Sequence, residues 1–254
     1  MQPNLLMAII LPILTSCTDS IEIPIDRQAT VARQPGTVGE IELPFGYRRL
    51  EAAKASFSEW LRAIPLKADN TVYLFNGQKK PNQKAQYAVL DISVGKKDLQ
   101  QCADAVMRLR AEYLLSIGKA SDIWFSDNNG TRYKAPLNGS RKSFEDYLEK
   151  VYSYCGTLSL EKQLHPKTDL NSINPGDVFI KGGSPGHAAI VLDVAVNESG
   201  GRIFILANSY MPAQDIHVLI NPSNNSLSPW YSIENSVSLE LPEWTFNTHH
   251  LRTW

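Results

Sequence analysis

Three residues in this chain have the types and the order needed to break an acyl bond. Cys102 lies in DLQQCADAVMRLRAEYL, His187 in PGDVFIKGGSPGHAAIVLDV (175–194), and Asn208 at the end of the next apolar run. A thiol just inside a helix start meets unsatisfied backbone N–H groups and the positive end of the helix dipole. Both favour the thiolate. A nucleophilic thiolate also needs a base within hydrogen-bond reach and a third group to orient that base. His187 is the natural base, because the Gly-Gly-Ser-Pro-Gly turn before it leaves one side of its ring uncrowded. Asn208 lies across the Ser199–Gly201 hairpin and is placed to hold the imidazole. Gln214 is a second candidate for that role and, with Trp230, a candidate substrate contact.

The same residues also admit plainer roles. On a helix, Cys102, Val106, Leu109 and Tyr113 share one face, and a cysteine on an apolar face is ordinarily a small buried hydrophobe. His187 could be a satisfied strand-end histidine. In an oxidising compartment Cys102 could pair with Cys155, which would remove the nucleophile. His187, Asp193 and His217 could bind a metal, but they lack a close H-x-H or H-E-x-x-H spacing. No metal and no cofactor is expected. The glycine-rich turn 182–186 lacks the Lys-Ser/Thr ending of a phosphate loop and leads into a strand.

The elements that must position these residues follow from pattern. Arg49–Ile64 reads as a helix with Leu50, Ala53, Phe57, Leu61 and Ile64 on one stripe, ended by Pro65. Thr71–Phe75 and Gln86–Val94 read as strands. Asp98–Ser116 is a strong helix, with Asp98 as its cap and Gln101 three residues on. Ser143–Tyr154 is a second amphipathic helix. Strands follow at Asp177–Lys181, His187–Val196, Arg202–Ala207 and Ile216–Ile220. Helices first and an antiparallel meander afterwards predict an α+β domain. The aromatic segments SPWYS and PEWTF could line a groove for sugar or peptide, or simply tie down the end of the chain.

The start of the chain speaks to location. Leu5–Leu14 is an apolar run of roughly ten residues, too short for a membrane span of about twenty. It ends in Leu14-Thr15-Ser16-Cys17, which resembles the lipobox of bacterial lipoproteins. That resemblance implies a signal peptide over 1–16 and a lipid on Cys17; the Pro, Gly and scattered charge of 17–37 read as a tether, and with no clear linker beyond it a single domain is expected over 38–254. The expected location is the cell envelope, periplasmic or at the cell surface, with the membrane reached through the N-terminal lipid. With 25 Lys+Arg against 26 Asp+Glu there is no general basic excess, so nucleic acid is not an expected partner.

The blocks DLQQCADAVMRLRAEYL, YCGTLSLEKQL, PGDVFIKGGSPGHAAIVLDVA, LANSYMPAQDIHVL and SPWYS resemble a bacterial lipoprotein family known as a domain of unknown function, over about Pro44–Trp254. More remotely, Cys102, Pro175-Gly176-Asp177, Gly186-His187 and Asn208 are similar in order to the NlpC-type and CHAP-type cell-wall hydrolases. Those families carry Asp before the cysteine and Ser-Gly after it, where this chain has Gln101 and Ala103-Asp104. The similarity implies a papain-like core with N-terminal helices packed on an antiparallel sheet. It also implies a metal-free cysteine peptidase or amidase acting on peptidoglycan peptides. The competing expectation is a non-catalytic lipoprotein that binds a glycan, peptide or protein partner through the same cleft.

Overall fold

β-Branched and aromatic residues dominate the apolar runs after Asp177, and these runs become strands. A computed structural model of the protein describes residues 34–233 and 237–254. The signal segment 1–16, the lipidation site Cys17 and the tether as far as Arg33 lie outside the described residues.

The strands are β1 (Tyr47–Arg49), β2 (Gln86–Val89), β3 (Trp124–Ser126), β4 (Arg132–Lys134), β5 (His165–Pro166), β6 (Val178–Lys181), β7 (His187–Asn197), β8 (Arg202–Asn208), β9 (His217–Leu219), β10 (Trp230–Tyr231), β11 (Ser238–Glu240), β12 (Thr245–Asn247) and β13 (Leu251–Thr253). The helices are α1 (Phe57–Arg62), α2 (Cys102–Ser116), α3 (Arg141–Tyr154) and α4 (Thr157–Gln163). Nine strands form one sheet in the order β2-β9-β8-β7-β6-β13-β5, with β1 also on β7 and β10 on β8. The pairings within it are antiparallel. β3–β4 and β11–β12 are separate two-stranded ribbons.

β7 is the axis of the sheet, and it is covered on both faces. Ala188, Ile190 and Leu192 join the apolar cluster that contains Val106, Met107 and Leu109 of α2. Ala189, Val191 and Val194 join a second cluster with Phe179, Phe204 and Phe246. That explains why the run reads as continuously apolar rather than alternating. The register against β8 shifts between Val191 and Asp193, and the Asp193 side chain is fully buried there. Arg49 Nε meets its carboxylate at 2.8 Å and Arg62 Nε at 2.6 Å, so β1 and α1 are both anchored to β7.

The expected fold class is corrected. The described chain is mostly antiparallel sheet with few helices, and no papain-like core is present. The helices are not gathered at the N-terminus: β1 and β2 precede α2, and α3 and α4 lie between strands. The expected Arg49–Ile64 helix shrinks to α1. Arg49 is claimed by β1, and Ser56 caps the helix by accepting a hydrogen bond from Glu59 N. Thr71–Phe75 makes only isolated bridges, Tyr73 to Lys79 and Leu74 to Gln214. α2 starts four residues later than expected. Its Ncap is Gln101, whose backbone N–H donates to Asp104 Oδ2 at 2.9 Å. Asp98 is used elsewhere, accepting from Ala213 N at 2.6 Å.

Candidate active site

The N-terminus of α2 is held over the loop that follows β8. Ser209 Oγ donates to Gln214 O at 2.8 Å and lies 3.2 Å from Gln100 O, and Asp98 accepts from Ala213 N. These bonds bring Cys102 against the start of β7. Its thiol is within reach of the backbone N–H of Ala188, the residue after His187. Cys102 and Cys155 are both free thiols and both buried, so no disulfide removes the candidate nucleophile.

His187 opens β7 opposite Lys181 and is 1% exposed. The turn before it depends on Gly186. A Cβ there would lie 2.4 Å from both Gly183 O and Thr157 Oγ1, so only glycine fits this approach. Asn208 closes β8, and its Nδ2 lies 2.9 Å from His187 Nε2. The expected base and orienter are therefore in contact. With Nδ2 donating, the imidazole carries its proton on Nδ1. With the amide turned over, Oδ1 accepts from Nε2–H and Nδ1 becomes the free base. In the first arrangement the buried Asn208 Oδ1 has no partner.

The ring of His187 is enclosed by aromatics. The Tyr210 centroid is 4.9 Å away, Trp244 5.2 Å and Phe246 5.8 Å. His217 faces Asn208 across the β8–β9 ladder, and its Nδ1 donates to Asp215 O at 2.9 Å. Its Nε2 is buried without a partner. Lys80 lies near both histidines and is ion-paired to Glu243, which also accepts from Asn82 Nδ2 at 3.0 Å. The β11–β12 ribbon is thus pinned at its turn while its aromatics cover His187.

Burial sets the charge states. It pushes the Cys102 thiol up to about 11, Asp104 adds to the rise, and the N–H groups of Ala103, Ala188 and Cys102 itself oppose it. Burial, with His217 and Lys80 close by, pushes His187 down to about 3. The same burial beside Lys80 takes His217 to about 4 against its bond to Asp215 O. Both groups rest neutral, the thiol and the imidazole alike, and among the described residues no hydrogen bond joins them.

Of the other candidates, Gln214 lies beside this loop, with its Nε2 buried and unpartnered. Trp230 is a core residue: it is 1% exposed, pairs with Ile205 and donates its indole N–H to Glu42 O at 2.8 Å. Asp193 is spent on Arg49 and Arg62. Among the described residues no group of three His, Cys, Asp or Glu is placed to hold a metal ion. Sequence reasoning missed Tyr210 and Lys80. Tyr210 had a usable signal, being an aromatic two residues after Asn208. Lys80 had none, because its role depends on Glu243, far along the chain.

The chain belongs to the family described as Domain of unknown function (4846), whose model matches residues 38–139 and 132–253. No curated protein matches the chain, and no solved structure does.

Proposed function

We propose that this protein is a lipid-anchored extracytoplasmic thiol hydrolase, a peptidase or amidase acting on cell-wall peptides. Cys102 is the nucleophile, His187 the base and Asn208 the group that orients it. The observation that carries this reading is the buried His187–Asn208 pair at 2.9 Å, with the Cys102 thiol against the next residue's amide. The chemistry starts from a neutral thiol and a neutral imidazole, with Asn208 Oδ1 accepting from Nε2–H so that Nδ1 is the free base. The imidazole takes the thiol proton as sulfur adds to the carbonyl carbon. The leaving amine takes that proton as the C–N bond breaks, and water then releases the acid from the thioester and restores the thiol. The N–H groups at the start of α2 would face the oxyanion. Anchoring through Cys17 would place this site where wall peptides are available.

A second reading is a non-catalytic lipoprotein that binds a glycan, peptide or partner protein through the same cleft. What favours it is the thiol held at about 11 with no hydrogen bond to the imidazole. Iodoacetamide labelling at pH 7, read by mass spectrometry, separates the two. Cys155 serves as an internal standard, since burial pushes its thiol up to about 12. The hydrolase reading expects Cys102 to label about a hundredfold faster than Cys155 or more, beyond the roughly tenfold that thiols at about 11 and about 12 already give, and to lose that excess in His187→Ala. A Cys102 that labels no more than about tenfold faster than Cys155 in the folded wild type sinks it.

A further inference from the structure

Away from Cys102, further along α2, a cleft of about 460 Å³ opens beside Arg110. A volume in the range of a few hundred Å³ suits a small molecule or the end of a peptide. The guanidinium of Arg110 sits among three rings, 5.2 Å from the centroid of Phe57, 5.5 Å from Tyr113 and 5.2 Å from Trp254. Rings attract the cation without taking up its N–H donors, which point outward in the guanidinium plane. Among the described residues Arg110 makes no hydrogen bond and no ion pair. Its neighbours on α2 differ, since Arg108 bonds Gln100 Oε1 and Ser93 O and lies 3.5 Å from Glu112. A half-buried arginine oriented by rings, with its donors unspent, is a fork awaiting a planar anion.

The rest of the cleft agrees. Trp124 and Trp254 line it and offer aromatic surface, the Trp124 ring with Arg132 over it at 4.4 Å. Lys119 also lines it, and among the described side chains the carboxylate in the lining is Asp122, whose charge acts on Arg110 without pairing with it. The Trp254 indole N–H is already committed to Gly176 O at 3.1 Å, and the amide of Gln163 to Ser126 N and Trp124 O. Among the described residues Arg110 is therefore an unspent, directional cationic donor of the cleft, with the His165 ring also lining it, and the walls favour an apolar body.

We infer that this cleft is a second binding site, which takes a carboxylate-bearing ligand with an apolar body, the carboxylate forked onto Arg110 and the body against Trp124 and Trp254. The site is independent of the chemistry at Cys102, so either assignment can fail alone.

The test is a titration of intrinsic tryptophan fluorescence with benzoate, its neutral isostere benzamide and inorganic phosphate. Benzoate should change the emission saturably, and benzamide should bind about tenfold more weakly or worse, the lower end of one charge-assisted hydrogen bond. Arg110→Lys, which keeps the charge and loses the fork, should weaken benzoate by a similar factor while leaving benzamide unchanged. The comparison of the three probes needs no variant, so it decides even if a substitution at Arg110 disturbs folding. Absence of saturable benzoate binding, equal binding of benzoate and benzamide, or phosphate binding more tightly than benzoate would each overturn the assignment.

Discussion

At the scale of single residues, the glycine before His187 matters as much as the histidine itself. Of the three atoms that a Cβ at Gly186 would meet, Gly183 O at 2.4 Å and Lys181 O at 2.9 Å are backbone and cannot rotate away. Gly186→Ala must therefore move the turn, and His187 with it. We expect a loss of about 2 kcal/mol in urea unfolding, of the size seen when a filled site is overpacked. The labelling advantage of Cys102 should fall in the same variant if His187 serves it. Gly200 is the control. It has φ +87° but open space around it, at the tip of the β7–β8 hairpin. Gly200→Ala should cost only about 1 kcal/mol from backbone strain and leave Cys102 labelling unchanged. A Gly186→Ala variant no less stable than Gly200→Ala would show that the turn relaxes without moving the site.

At the scale of elements, a single carboxylate ties β1 and α1 to β7, beside the backbone pairing of β1 and the apolar packing of α1. Asp193 is fully buried, with Arg49 and Arg62 at 2.8 and 2.6 Å and only 24% and 16% exposed. Removing it leaves two partly buried guanidinium groups without their counter-charge. Asp193→Ala should cost about 3–5 kcal/mol in urea unfolding. Lys142→Ala, which breaks an exposed ion pair with Asp146 on α3, should stay within about 0.5 kcal/mol. Near-equal costs would mean that Asp193 is a packing residue whose charge is incidental. Asp193 also marks the limit of what was legible in the sequence. The strands β6 to β9 stood out because their apolar runs are bounded by Pro-Gly, Gly-rich and Ser-Gly-Gly turns. The pairing of His187 with Asn208 followed from one hairpin. The bulge that turns Asp193 inward left no trace in the pattern, and its partners lie far earlier in the chain. Arg49 looked helical by spacing alone, yet pairing with β7 and the buried carboxylate outweigh local propensity. Sheet assembly of this kind rests on contacts between distant segments, which periodicity does not report.

At the scale of the whole molecule, burial of titratable groups makes stability depend on pH in a shape that can be predicted. His187 and His217 are held at about 3 and about 4, below their ordinary value of 6.5. Unfolded, both take up protons as pH falls below about 6.5, while the folded protein resists, so the stability they contribute is present above about 6.5 and lost as pH falls. Asp104 acts in the opposite sense. Burial raises it from 3.8 to about 8, against a hydrogen bond from the Gln101 N–H, and its Oδ1 has no partner. Its folded carboxyl keeps a proton that the unfolded chain gives up, so stability falls as pH rises between about 4 and about 8. Between about 4 and 6.5 two histidines outweigh one aspartate and stability should climb. Between about 6.5 and 8 Asp104 acts alone and stability should decline, giving a maximum near pH 6.5. Urea unfolding at pH 5, 6.5 and 8 reads this directly. Asp104→Asn, which keeps an acceptor for Gln101 N–H, should flatten the upper limb and gain about 2 kcal/mol on wild type between pH 6.5 and pH 8. If wild type is instead most stable at pH 8, Asp104 is ionised in the folded protein, and the N-terminus of α2 carries a fixed negative charge beside Cys102. That charge would oppose the thiolate, so the same profile bears on whether the thiol next to it can serve as a nucleophile.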